Sequence, residues 1–397
     1  MLPFADASDQ TLDDPAVRDA RHANYLLWIT FWVMFLSVSI GLSWDGGWHL
    51  TCPFETAFSP PHLFIYATSA LTVSLYVALL VTPRLRRRFG TPFRVPLIPF
   101  AVPGALALIG AGLLLLALAA MLDIVWHSNF GLDETRWSTP HALLSWAWVT
   151  AAIGFVSARL ALREHRPLRW WTRAFIAFIL LVFSAGPVMG PLQPNQTQEK
   201  LEALAAVPVL AGQPAYQHTS RIYRDWNLTR SNVLFPVLGG LWLGLVLSAF
   251  RALDGRTSLL VALAVIWTVF AAFRERSAAI RLGIDPSHVA AWIPIPLLPA
   301  TIGAALAWRM RWGQMAVALV AGAVFGGVSQ AIWPSIGVVG ATILGAGACA
   351  IGFTLGAHLA SVLEKPTARR CLAVATTAVA VPVLTGLVDL YLRLQTQ

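Results

Sequence analysis

Residues 97–122 read LIPFAVPGALALIGAGLLLLALAAML, an apolar run without a single charged side chain. A membrane-spanning helix needs about 20 mostly apolar residues, and this run is long enough. Working outward from it, comparable runs recur along the whole chain. They lie at 25–44, 62–82, 97–122, 141–162, 170–190, 233–252, 258–273, 288–308, 315–333, 336–361 and 371–392, which predicts eleven spans, the one at 258–273 being short. The expected fold class is therefore an all-α polytopic integral membrane protein with about eleven transmembrane helices.

The composition agrees with that reading. The 397 residues are 57% hydrophobic and only 12% charged, against roughly a quarter charged in ordinary globular chains. Mean hydropathy is +0.66. These values exclude a cytosolic enzyme, a secreted disulfide scaffold and a disordered chain. Cys52, Cys349 and Cys371 are too few and too far apart for a zinc ribbon or a CxxC redox pair.

The cations set an expected orientation. Lys and Arg number 28 against 19 Asp and Glu, a net charge of +9, and all but Lys200 and Lys365 are arginine. With the N-terminus in the cytoplasm, nineteen of them fall in cytoplasmic segments, among them Arg84, Arg86, Arg87, Arg88, Arg94, Arg159, Arg163, Arg166, Arg169 and Arg173. The positive-inside rule favours that placement, in a plasma (inner) membrane with the C-terminus outside. The excess charge thus marks loops beside lipid, and no nucleic-acid partner is expected. The first 24 residues carry Asp6, Asp9, Asp13, Asp14 and Asp19, the opposite of a cationic signal-peptide start, and read as a polar cytoplasmic tail.

A duplicated motif carries the chemistry. One copy is Asp45-Gly-Gly-Trp-His49 followed by Glu55-Thr-Ala-Phe-Ser-Pro-Pro-His62. The second is Asp123-Ile-Val-Trp-His127 followed by Glu134-Thr-Arg-Trp-Ser-Thr-Pro-His141. With one gap, the Asp, Trp, His, Glu, Thr, Ser, Pro and His positions are identical. Each copy joins two apolar runs, so the repeat unit is a helical hairpin, and parallel hairpins place both motifs at the outer face. Asp and His at i and i+4 share a helix face, more firmly in the second copy because Gly46-Gly47 weakens the first. Ser59 and Ser138 are expected N-caps, which puts His62 and His141 in the first turn of the following helices. Capping does not account for Glu55 and Glu134, which precede the serines by four.

The expected domain organisation follows: a cytoplasmic tail over 1–24, a duplicated metal-site region over 25–162, a fifth helix with a long external loop over 163–232, and a C-terminal bundle over 233–397. In the loop, 197–207 has the apolar spacing of a short helix, and His218 lies among arginines and aromatics in an interfacial belt. His288 follows Asp285 and Ser287 at a helix start, where turn and cap roles are favoured over ligation. Arg274-Glu275-Arg276 reads as a solvated charge run. Small residues across 340–356, with Gly352 and Gly356, predict close helix packing, and Pro103, Pro236, Pro299 and Pro382 are expected to kink or break helices.

Two histidines and a carboxylate leave positions open on a bound ion, which suits iron or copper with oxygen, or zinc with a water. The expected ligands are Asp45, His49, His62, Asp123, His127 and His141, as one dinuclear centre or two mononuclear ones. Glu55 and Glu134 are the candidate catalytic residues, either orienting a ligand ring or relaying protons. The spacing Asp45-x3-His49-x12-His62 resembles the Asp/His/His motif of the C subunit of the copper membrane monooxygenases, the family of particulate methane and ammonia monooxygenase. The second copy, Asp123-x3-His127-x13-His141, is one residue longer. The resemblance implies a copper site, ahead of iron or zinc, of the kind tied in that family to hydroxylation of a small substrate by O2. Apolar substrates would reach it from the bilayer, electrons are expected from an external donor because the chain carries no flavin or haem signature, and partner subunits or an oligomer are expected. A transporter or metal-handling permease and a zinc-dependent membrane hydrolase are the alternatives. Charged residues are missing from the helix centres, which counts against proton-coupled transport.

Overall fold

A computed structural model describes residues 14–41, 44–45, 48, 58–130, 138–163, 168–183, 232–253, 257–281, 294–332 and 336–394. The first helix, α1 (Pro15–Leu36), starts where Asp14 accepts a hydrogen bond from the Ala16 N–H at 2.8 Å, with proline at the first helical position. It runs into a wider π turn over Ser37–Gly41. Helix α2 (Pro60–Val81) opens on two prolines and stops at Thr82, which the following Pro83 holds extended at φ −86°, ψ 102°. A short helix α3 (Pro83–Arg86) leads to a two-stranded antiparallel hairpin, β1 (Pro92–Phe93) and β2 (Val102–Pro103).

The remaining long helices are α4 (Gly104–Phe130), α5 (Thr139–Ala161), α6 (Trp170–Phe178, continued by a π turn over Ile179–Phe183), α7 (Asn232–Ala252) and α8 (Thr257–Arg281). They are followed by α9 (Pro294–Arg309), α10 (Gln314–Ile332), α11 (Val338–Glu364) and α12 (Ala368–Leu394).

Helices overlie all eleven predicted runs, but among the described residues eight are long and apolar enough to cross a membrane: α1 with its π turn, α2, α4, α5, α7, α10, α11 and α12. The apolar parts of α6 and α8, Trp170–Leu181 and Ser258–Val269, are shorter, and α9 has 16 residues. Pro294 stands at the first position of α9 and Pro296 in its first turn, where a proline costs no intrahelical hydrogen bond. The run expected to be helical from 97 becomes helical only at Gly104. Pro96, Pro99 and Pro103 divert its first residues into the hairpin, so Pro103 lies in β2 and kinks no helix. Pro236, Pro299 and Pro382 do sit inside α7, α9 and α12. The Arg274–Arg276 charge run falls within α8, with Arg276 exposed.

The large apolar side chains left exposed are those of a chain bathed in lipid. Leu63, Leu71, Val73 and Val77 of α2 and Leu372, Val383, Leu384 and Leu387 of α12 are uncovered, an arrangement that water would penalise and acyl chains satisfy. The protein is a multi-pass membrane protein.

Two compact units make up the chain. The first holds Met1–Leu114, Thr150–Arg169 and Val362–Thr376. Within it Phe31 meets Phe155 edge-to-face at 5.3 Å, and Leu108, Val362 and Cys371 form a cluster joined by Phe93, Ile153 and Val374. Tyr76 donates its hydroxyl to the Leu106 carbonyl at 3.0 Å. The second unit holds Leu115–Val149, Trp170–Ser361 and Thr377–Gln397. Here small residues bring α7, α10 and α11 into backbone contact. A Cβ on Gly244 would run into Cys349 and Phe353, one on Gly322 into Gly345, one on Gly326 into Ala341, and one on Gly352 into Leu241. Gly352 and Gly356 therefore do what the sequence predicted, on α7 as their neighbour.

Candidate metal centre

The first copy of the motif sits between the end of α1 and the start of α2. Gly41 closes the π turn against Ile65 and Phe64, and a Cβ at that glycine would strike the Ile65 side chain. This approach places the chain just after α1 over the first turn of α2. His62 is the third residue of α2, as expected from Ser59 and Pro60. Asp45 Oδ1 lies 3.0 Å from His62 Nε2, with both side chains 13% exposed. One turn further along α2, Tyr66 stacks on the His62 ring, centroids 6.1 Å apart and planes tilted by 26°. Trp44 leans on Phe64 beside them.

In the second copy, α4 stays helical through Phe130, so positions 123 and 127 lie one turn apart on the same helix. Ser128 and Asn129 donate back to the Ile124 and Val125 carbonyls at 2.7 Å, as polar residues near a helix end do. His141 is the third residue of α5, and its Nδ1 lies 3.1 Å from Ser138 Oγ. That contact engages Nδ1, so ligation by His141 would go through Nε2. Gly386 of α12 packs directly on Thr139, where a Cβ would meet the threonine hydroxyl.

The copies share a detail of burial. Asp45 Oδ1 and Trp48 Nε1 in the first, and Asp123 Oδ1 and Trp126 Nε1 in the second, are all withdrawn from solvent. They belong to different compact units, Asp45 and His62 to the first, Asp123 and His141 to the second.

The expected cap geometry is only partly realised. Ser59 has the extended backbone of an N-cap and its carbonyl accepts from the Leu63 N–H at 3.0 Å, but its hydroxyl makes no capping bond. Pro60 and Pro61 already remove two N–H donors from the first turn of α2, and the Ser138 hydroxyl lies against the His141 imidazole. His49, Glu55 and Glu134 lie outside the described residues, as do the His127 side chain, His218, His288, Cys52 and the 197–207 stretch. Among the described residues no three His, Cys, Asp or Glu side chains gather as a metal-holding group. Tyr66 was not singled out by the motif. Its only signal in the sequence is its place four residues after His62, on the same helix face.

Family models, curated proteins and solved structures were all compared with the chain, and none matches it.

Proposed function

We propose that this protein is an integral-membrane, metal-dependent oxidoreductase that holds a transition metal at its Asp/His/His motifs and acts on a small or apolar substrate with O2 at the outer face. Asp45, His49 and His62 hold the ion in the first copy, and Asp123, His127 and His141 are their counterparts in the second. Copper fits this donor set and the motif's resemblance best, with iron and zinc behind it. The topology that goes with this reading has eleven spans, the N-terminus in the cytoplasm and the C-terminus outside.

The observation that carries the proposal is the 3.0 Å separation of Asp45 Oδ1 and His62 Nε2. Two donors at metal–ligand distances of about 2.1 Å and at right angles stand about 3.0 Å apart, so this pair has the spacing of adjacent ligands on one ion. The same distance serves an ordinary carboxylate–imidazole hydrogen bond, which is why the metal itself must be measured. When bound, the ion supplies redox chemistry with O2. The chain's own part is to fix the His62 ring, by Asp45 on its edge and Tyr66 stacked beside it, with Trp48, Trp126 and Trp137 as the proposed walls for an apolar substrate. Glu55 and Glu134 orient ligand rings or carry protons. Electrons come from an external donor.

The test is elemental analysis of the purified protein. Bound copper is expected, and a His62→Ala, His141→Ala double variant should lose most of it. Metal content unchanged in the variant, or no metal in the wild type, sinks the site. Zinc in place of copper would favour the hydrolase, and a metal-free protein the transporter.

A further inference from the structure

The hairpin between α2 and α4 has no part in the proposed metal site, yet it combines a rigid base with an exposed apolar tip. Phe93 of β1 packs on the cluster of Leu108, Val362 and Cys371, and Phe89 and Val102 are fully buried. Gly104 sits so tightly on the Pro366 carbonyl that a Cβ there would overlap it. Arg86 donates to the Leu80 carbonyl at 2.7 Å and lies over the Phe100 ring at 4.0 Å. From this base the strands carry the sequence Pro96-Leu97-Ile98-Pro99 outward. Leu97 is completely exposed and holds a left-handed backbone, φ 68°, which branched or bulky side chains rarely adopt. A leucine kept in such a conformation gains nothing from the protein around it.

The surroundings of the tip are cationic. From Pro83 to Gly104 there is no acidic residue, while Arg84, Arg86, Arg87, Arg88 and Arg94 all fall within it. Arg86 is committed to the base, and Arg88 reaches Asp19 at 3.8 Å. Arg84, Arg87 and Arg94 are exposed. Both helices that the hairpin joins, α2 and α4, are apolar enough to span the bilayer, so the hairpin emerges at a membrane surface. An exposed apolar tip flanked in sequence by exposed arginines matches an anionic lipid surface in both of its parts, acyl chain for the leucine and phosphate for the guanidinium groups.

We infer that the 90–103 hairpin is a lipid-sensing wedge, in which Leu97 inserts into the headgroup region of the adjoining leaflet and Arg84, Arg87 and Arg94 bind anionic phospholipid headgroups. The full chain, with Cys52, Cys349 and Cys371 replaced by alanine, is labelled with a nitroxide at Leu97→Cys and reconstituted in nanodiscs. These are made of phosphatidylcholine alone, or of equal parts phosphatidylcholine and phosphatidylglycerol. Collision with O2 relative to a water-soluble nickel chelate reads the depth, and Thr91→Cys at the exposed base is the reference. The ratio at 97 should be several-fold above that at 91 in the anionic discs, and should fall towards it in neutral discs or on changing Arg84, Arg87 and Arg94 to glutamine. Pro96→Cys provides a second label position should Leu97→Cys not fold. Free access of the nickel chelate in both lipids overturns the inference. So does shielding from both reagents, which would mean that the tip packs on protein.

Discussion

His62 and Asp45 show how one close contact places a charged group at the edge of a membrane. A carboxylate at such a depth costs free energy unless it has a partner, and the imidazole 3.0 Å away provides one. Tyr76 solves a related problem deeper in the first unit. Its phenol reaches the Leu106 carbonyl only because Gly110, one turn later on α4, has no side chain in its way. The carbonyl keeps its helical bond and accepts a second. Loss of that second bond in Tyr76→Phe should lower stability by about 1 kcal/mol, a buried neutral hydrogen bond's usual net worth. Gly110→Val, which expels the ring, should cost more than Tyr76→Phe. Unfolding midpoints of the two variants in one detergent check the order, and equal midpoints would refute the account.

At the scale of elements, glycines in the second unit divide into two kinds. Gly352 on α11 touches the Leu241 backbone, whereas Gly347 on the same helix has open space around it. The first lets two helices approach without intervening side chains, where dispersion contacts replace the hydrophobic effect that lipid cannot supply. The second only loosens its helix. Gly352→Ala should therefore destabilise, by the 1–3 kcal/mol or so typical of overpacking. Gly347→Ala should raise stability by about 0.5–1 kcal/mol through reduced backbone freedom. Thermal denaturation followed by retention on a sizing column separates the two, and a shift of the same sign in both variants would contradict the division. The prolines also act at this scale. Those at helix starts, Pro15, Pro60 and Pro294, define where helices begin, and those at 96, 99 and 103 convert the start of an apolar run into a hairpin.

For the whole molecule the number of crossings decides where the ends lie. Eight spans return the chain to its starting side, and eleven leave it on the other. On the proposed topology an alkaline phosphatase fused after Gln397 is active, and a green fluorescent protein at the same place is dark. The reverse pattern would require either an even number of spans or an N-terminus outside, and a redrawn outer face.

The membrane class, a helix over each apolar run and the first-turn placement of His62 and His141 were legible in the linear order of residues. Each depends on neighbours in sequence: twenty apolar residues in a row, a proline at a helix start, a serine before it. The alternation of apolar and polar residues says nothing about which distant backbones touch. The fit of Gly41 on Ile65, the 3.0 Å approach of Asp45 to His62, the reach of Tyr76 to the Leu106 carbonyl and the contact of Gly352 with Leu241 were decided by tertiary structure alone. They arise where chain segments far apart in sequence pack to within a few ångströms, and that closeness is set by the shapes of both partners at once.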